Sequence, residues 1–276
     1  MGIEDKVVVI TGAGGVLCSE FARAVAKAGG KVALLNRSAD KIERLATEIG
    51  KEGGIALPYP VNVLDVAGLK DVHEQIRKDL GPCDILINGA GGNMDRANTT
   101  VEYFEQTEAV EGQRTFFELD EEHIDAVFKL NFTGTLLPTK EFARDMLGRS
   151  GCSILNVSSM ASYHPMTKVL GYAGAKAAIN NLTEWLAVHF AKEGIRVNAI
   201  APGFFSTAQN RNLLFDKDGN YTARSHKILA GTPMGRFGEP KELLGGVLFL
   251  IDAEVSGFVT GIVLPVDGGF LAYSGV

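Results

Sequence analysis

Lys6-Val-Val-Val-Ile10, running through Thr11-Gly12-Ala13-Gly14-Gly15 into Val16-Leu17-Cys18-Ser19, is the stretch on which the fold turns. The valine run reads as a buried strand, and from 16 to about 28 apolar residues recur at helical spacing. Glycines between the two let the backbone turn tightly and come close to a ligand. The helix that follows presents unpaired N–H groups and the positive end of its dipole. Strand, glycine turn and helix start together form a site for a pyrophosphate, and a place after the first strand of an alternating chain gives the motif its weight.

Outward from this stretch the alternation continues. Strand patterns lie near 31 to 35, 55 to 61, 84 to 88, 152 to 158, 195 to 200 and 261 to 266. Helical patterns lie near 38 to 50, 65 to 80, 119 to 147, 172 to 193 and 239 to 252. The expectation is an α/β fold: a single Rossmann-type, doubly wound parallel sheet with helices on both faces, over 1–276 as one domain. Such sheets bind ligands outside the carboxyl ends of their strands, where Gly12, Asn88, Ser159 and Pro202 fall.

A second signature carries chemistry. In Tyr172-Ala-Gly-Ala-Lys176 a phenol and an ammonium stand one helical turn apart on one face, with Ser159 thirteen positions upstream and Asn131 before that. A cation beside a phenol stabilises the phenolate, which makes the tyrosine usable in acid/base work on an alcohol or a carbonyl. A free tyrosine titrates near ~10, so the shift toward neutrality has to come from nearby positive charge, and Lys176 is its expected source.

Composition narrows the class. With 276 residues, 46% of them hydrophobic, the chain can bury a large core, and it has no linker, repeat or low-complexity tract. A net charge of −6 without a basic run argues against nucleic acid or an acidic membrane as partner. No signal-peptide pattern and no bilayer-length apolar run is present, so a cytoplasmic protein is expected. Cys18, Cys83 and Cys152 are odd in number and lack CxxC spacing, so neither a disulfide framework nor a metal site is expected.

On these motifs the chain resembles the short-chain dehydrogenase/reductase family over essentially its whole length. The residues that carry the resemblance are TGAGG at 11–15, NGAG at 88–91, NFTG at 131–134, Ser158-Ser159, YAGAK at 172–176 and APGFFST at 201–207. Within the family it is similar to the bacterial D-mannonate oxidoreductases, or fructuronate reductases, through VITGAGGVLCS, APGFFSTAQNRNLLFDKDGN, TPMGRFGE and VLPVDGGFLAYSGV. The resemblance implies a nicotinamide cofactor that exchanges a hydride while Tyr172 exchanges a proton with the substrate oxygen. It further implies that Lys176 lowers the tyrosine's pKa and holds the nicotinamide ribose. Ser159 would hydrogen-bond the reacting oxygen, and Asn131 would hold a water linking Lys176 to solvent. Asn131 can equally cap backbone within its helix.

For the cofactor, the resemblance points to Gly12, Gly14, Gly15, Val16 and Leu17 at the pyrophosphate turn, and to Asn88, Ala90 and Gly91 after the fourth strand. Tyr172, Lys176, Pro202, Gly203, Phe205 and Thr207 would stand at the nicotinamide. Asn62 and Val63 occupy the place of an Asp-Val pair against the adenine. Family members usually carry glycine where this chain has Val16 and Cys18. Cys18, near a helix start, reads either as a thiol of lowered pKa or as a small residue packed on the sheet. An NAD enzyme typically has an acidic residue after the second strand, and here Asn36 is followed by Arg37. NAD is expected from the subgroup resemblance, and NADP is compatible with Asn36 and Arg37.

Two segments should shape a substrate site. Residues 92–118 form a polar stretch too long for an ordinary connection and read as an insertion with some helix of its own, offering Asn93 and Arg96. Residues 204–238 read as a substrate loop or lid with Gln209, Asn210, Arg211, Arg224, Lys227 and Arg236, cations and amides that suit a sugar acid. Arg211 is the first choice for the substrate carboxylate, and His164 lies on the loop after Ser159. The helix from 172 is apolar on more than one face, which burial within the monomer explains in part; the resemblance implies that it pairs between subunits, the apolar Phe270-to-Val276 end suggests a further contact, and a homotetramer is expected. The enzyme alternative is a related sugar-acid or polyol dehydrogenase, such as a gluconate 5-dehydrogenase. The non-enzyme alternative is a dinucleotide-binding sensor, against which the intact Asn131, Ser159, Tyr172 and Lys176 set argues.

Overall fold

In a computed structural model the chain is described at residues 2–106, 111–207 and 210–275. Gln209 and Val276, both singled out above, lie outside the described residues. The elements run β1 Val7–Thr11, α1 Val16–Lys27, β2 Lys31–Asn36, α2 Ala39–Lys51, β3 Ile55–Pro60, α3 Val66–Asp79 and β4 Ile85–Asn88. The chain continues with α4 Glu121–Phe128, α5 Gly134–Phe142, β5 Ser153–Val157, α6 Leu170–His189, β6 Arg196–Pro202, α7 Arg211–Leu214, α8 Ala223–Ala230, α9 Leu244–Ile251, α10 Ala253–Ser256 and β7 Val263–Val266.

The strands form one parallel sheet of seven in the order β3-β2-β1-β4-β5-β6-β7. β1 shows why its valine run is unbroken. Val8 and Ile10 pack into an apolar layer with Phe21 and Val25 of α1 and Val247 and Ile251 of α9. Val7 and Val9 point the other way, into a layer with Leu69 and Ile76 of α3, Phe142 of α5 and Ile179 and Leu186 of α6. A strand covered on both faces has no polar face to keep, so its sequence reads as continuous rather than alternating. The order reverses between β1 and β4, and the connections that leave their carboxyl ends diverge there to open a crevice.

One expected element divides. The helix expected over 119–147 is α4 and α5 with a π-helical turn, Lys129–Thr133, between them. Side chains compete with the backbone along this run: Asn131 Nδ2 donates to the Val127 carbonyl at 2.8 Å, and Thr135 Oγ1 to the Asn131 carbonyl at 2.9 Å. Pro138, inside α5, has no N–H to offer the preceding turn. Among the described residues of 92–118, the helical structure consists of two single 3₁₀ turns at Asp95–Ala97 and Phe116–Glu118. Arg114 braces them, donating from Nη2 to the Asp95 carbonyl at 2.8 Å and from Nε to that of Asn98. The 204–238 stretch contains α7 and α8, which the periodicity did not reveal. Phe270, expected on an outward-facing end, turns inward against Phe204 with ring centres 5.3 Å apart.

Candidate active site

Above the carboxyl ends of β1, β4, β5 and β6 lies a crevice of about 390 Å³. Its floor is backbone brought unusually close. Gly12 has φ +67°, and a Cβ there would stand 2.8 Å from the Ala90 nitrogen and the Gly89 oxygen, so only glycine fits. The Thr11 hydroxyl clamps the same approach by accepting from the Gly89 and Ala90 N–H groups at 3.1 and 3.2 Å. Gly15 is the N-cap of α1 and supplies no side chain to its first-turn N–H groups. Those donors face the crevice with the helix dipole behind them, an arrangement that suits a pyrophosphate.

The chemical end is built from β5, the turn after it and α6. Ser159, extended at φ −163°, leaves β5 and accepts at Oγ from the Ala161 N–H at 3.2 Å. Tyr172 lies in the first turn of α6, and its phenol is hydrogen-bonded with Ser159. Lys176, one turn on, is 6% exposed; its Nζ donates to the Val157 carbonyl at 2.8 Å and lies 5.7 Å from the centre of the Tyr172 ring. A Cβ on Gly91 would stand 2.7 Å from Asn131 Oδ1 and 3.3 Å from Lys176 Nζ, which places the asparagine and the lysine around one backbone segment. Asn131 is fully buried and clasps Gly92, donating to its carbonyl at 2.7 Å and accepting its N–H at 3.2 Å. The capping alternative for Asn131 is thus present in the structure.

Electrostatics correct one expectation. Burial pushes the Tyr172 phenol above its ordinary pKa, and the hydrogen bond from Ser159 opposes the rise. Lys176 is not the source of a downward shift here. Its own ammonium is depressed by burial from 10.5 to about 8. Burial likewise lifts the Cys18 thiol to about 12, so Cys18, although it borders the crevice, is the packed small residue and not an activated thiol.

Of the expected cofactor residues, Gly12, Gly15, Val16, Leu17, Gly91, Pro202, Gly203, Phe205 and Thr207 border this crevice, as do Tyr172 and Lys176. Asn210 joins them, its amide donating to the Phe205 carbonyl at 2.7 Å. Gly14 sits at the rim beneath Asn36, with Lys41 of α2 alongside; a Cβ on Gly14 would meet Asn36 Nδ2 at 2.9 Å and Lys41 Cβ at 3.0 Å. Arg37 follows Asn36 in the sequence. Ala90 contributes the N–H that Thr11 accepts.

Other expected residues are used elsewhere. The Asn88 side chain turns into the sheet, where Nδ2 donates to Asn156 Oδ1 and Thr139 Oγ1 at 2.9 Å each. Asn62 closes its own turn by accepting the Leu64 N–H, and Val63 is buried against Gly134. Asn93 bonds Asn98 at 3.0 Å, and Arg96 is exposed near Asp120 at 3.9 Å. Arg211 lies over the Phe215 ring at 5.2 Å, and His164 borders a neighbouring cavity. Sequence reasoning missed Asn180 of α6: it accepts the Ser158 hydroxyl and donates to Ser162 Oγ at 2.8 Å, and Ser162 Oγ donates to the Ser159 carbonyl at 2.6 Å. This chain of bonds pins the Ser159 turn to the helix that bears Tyr172 and Lys176. Ser158 thereby joins the end of β5 to α6.

A model of the short chain dehydrogenase family matches residues 6–218. The chain belongs to the short-chain dehydrogenase/reductase family. This dehydrogenase/reductase is 55% identical to an uncharacterized oxidoreductase of Bacillus subtilis (strain 168), over 99% of this chain and 98% of that one. A crystal structure from Haemophilus influenza, described as a candidate D-mannonate oxidoreductase with bound NAD, superposes with a TM-score of 0.96 at 56% identity, covering 99% and 97% of the two chains. The gluconate 5-dehydrogenase of Burkholderia cenocepacia, in complex with NADP and tartrate, superposes with a TM-score of 0.83 at 29% identity, over 98% and 96%. Membership of the family makes this chain an oxidoreductase. No helix among the described residues is long and apolar enough to cross a membrane.

Proposed function

We propose that the protein interconverts D-fructuronate and D-mannonate with NAD as cofactor. The observation that carries this reading is the 56% identity, over nearly the whole of both chains, with the NAD-bound candidate D-mannonate oxidoreductase. Lys168, Arg224 and Lys227, which line the cavity beside the crevice, support an acidic substrate.

In this reading Gly12, Gly14, Gly15 and the start of α1 hold the pyrophosphate, and Asn36 and Arg37 meet the adenosine ribose. Pro202, Gly203, Phe205 and Thr207 seat the nicotinamide, which supplies or accepts the hydride. Tyr172 donates its proton to the ketone oxygen, and burial suits that role by keeping the phenol protonated at neutral pH. Ser159 hydrogen-bonds the same oxygen and offsets the charge that develops there. Lys176 bonds the ribose, and Asn131 holds the water that links Lys176 to solvent and through which the proton is replaced. We further propose that residues 92–118 and 204–238 form the substrate-facing insertion and lid, and that the protein works in the cytoplasm as a homotetramer.

The test is the initial rate of NADH and of NADPH oxidation with D-fructuronate, 5-keto-D-gluconate and a 3-oxoacyl thioester. The reading expects rapid NADH oxidation with D-fructuronate. Turnover of 5-keto-D-gluconate alone would favour the second reading, a gluconate 5-dehydrogenase, which the Burkholderia likeness supports. A preference for NADPH would assign Arg37 to the 2′-phosphate.

A further inference from the structure

Beside the crevice a second cavity, of about 530 Å³, opens between the loop after Ser159, the start of α8 and the segment around Glu102. Its lining carries Lys168, Arg224, Lys227 and His164 against a single carboxylate, that of Glu102. Lys227 is committed: its Nζ bonds both oxygens of Glu102, at 2.9 and 3.1 Å, and so ties α8 to the segment before α4. Arg224 and Lys168 form no ion pair with any described residue. A chain of net charge −6 thus gathers Lys168 and Arg224 beside the Lys227–Glu102 pair around one hollow, where Lys227 and then Lys168 lower the Glu102 carboxyl pKa and Arg224 has no carboxylate partner among the described residues. That concentration of positive charge attracts an anion.

The hollow adjoins the reacting end of the crevice. Phe204, on its wall, stands in sequence between Gly203 and Phe205, both of which border the crevice. Phe204, Phe270 and Met166 line the hollow and pack in the same apolar cluster as Tyr172.

The remaining guanidiniums nearby are occupied. Arg211 lies over Phe215, Arg236 is held by both oxygens of Glu242 at 2.6 and 2.7 Å, and Arg96 stands near Asp120. We infer that this hollow receives the carboxylate of an oxo acid whose ketone is presented to Tyr172, with Arg224 as its principal partner and Lys168 as its second. The inference rests on the sugar-acid reading and replaces Arg211 as the residue that holds the carboxylate. A planar guanidinium can meet both carboxylate oxygens, and the apolar wall fits the C–H faces of a sugar backbone.

The experiment compares the wild type with Arg224→Ala, Arg224→Lys, Lys168→Ala and, as a control, Arg211→Ala. Each is assayed with D-fructuronate and with D-fructose, which has the same ketone but no carboxylate. Binding of NADH is followed by its fluorescence. Arg224→Ala should raise KM for D-fructuronate about tenfold to a hundredfold, as expected on losing a charged hydrogen-bonded contact. Its kcat should stay within about threefold, and its reaction with D-fructose and its NADH affinity should not change. Arg224→Lys should recover part of the loss, Lys168→Ala should show a smaller rise, and Arg211→Ala none. A normal KM in Arg224→Ala, or a rise in Arg211→Ala instead, overturns the assignment while the sugar-acid reading stands. A wild type that reduces neutral ketones and no oxo acid overturns both.

Discussion

At Tyr172 a single oxygen separates turnover from binding. Tyr172→Phe removes the proton donor and leaves the ring in its apolar cluster, so kcat should fall by roughly a hundredfold or more while NADH binds with unchanged affinity. A rate within tenfold of wild type would take the tyrosine out of the mechanism. Lys176 gives two signs to test. Burial holds its pKa at about 8 against 10.5 for the exposed group, so the native state binds fewer protons between those values. The burial penalty is therefore full below about pH 8 and gone above 10.5, and stability attributable to Lys176 rises with pH across that window. The displacement is worth ~3 kcal/mol at most, less the bond to Val157. Lys176→Met should be more stable relative to wild type at pH 7 than at pH 10.5 in urea unfolding. In the reductive direction, kcat/KM should decline as pH passes about 8, because Lys176 loses the charge with which it is proposed to hold the ribose. At Gly12 the constraint is steric: Gly12→Val puts a β-branched residue at φ +67° against Ala90, and should abolish cofactor binding in a fluorescence titration.

At the level of elements, the bond chain from Ser158 through Asn180 and Ser162 to the Ser159 carbonyl joins the end of β5 to α6. Asn180→Leu should lower kcat about tenfold through a loosened Ser159, with cofactor affinity intact and the melting temperature down by a few degrees. Unchanged kcat would make that chain of bonds purely structural. The same contacts show what the sequence could and could not reveal. β1 and α1 were legible because their patterns are local: a run of valines wanting burial on two faces, then apolar residues at helical spacing. The π turn at Lys129–Thr133 was hidden, since apolar spacing continues through it and what marks the break is side-chain bonding, of Asn131 to Val127 and Gly92 and of Thr135 to the Asn131 carbonyl. Asn88 misled for a related reason: its place at the end of β4 suggested the crevice, but its amide turns sideways to Asn156 and Thr139, contacts some fifty and seventy residues away in the chain. Arg211 stacked on Phe215 and Lys227 bound to Glu102 are pairings that no local pattern encodes.

Across the whole molecule, α6 leaves Trp185 and Val188 exposed, and Phe258 stands fully exposed near the end of the chain. The proposed homotetramer would cover apolar surface of this kind, so light scattering should give the mass of four 29.5 kDa chains, and Val188→Glu should yield smaller species. A single-chain mass for the wild type would refute the assembly. The strand order has a further consequence, for the chain as it is made. The first four strands occupy adjacent places, β3-β2-β1-β4, and β5, β6 and β7 each add at the outer edge of the strand made before them. The sheet can therefore grow strand by strand as the ribosome delivers it, first on the β3 side of β1 and then, from β4 onward, on the other, with no finished strand pair having to reopen. At roughly 5–20 residues per second, the glycine cradle can close about ten seconds before Tyr172 is synthesised. The chain made by the end of β4 thus carries Gly12, Gly14 and Gly15 while lacking Ser159, Tyr172 and Lys176, the residues proposed to act on a ketone.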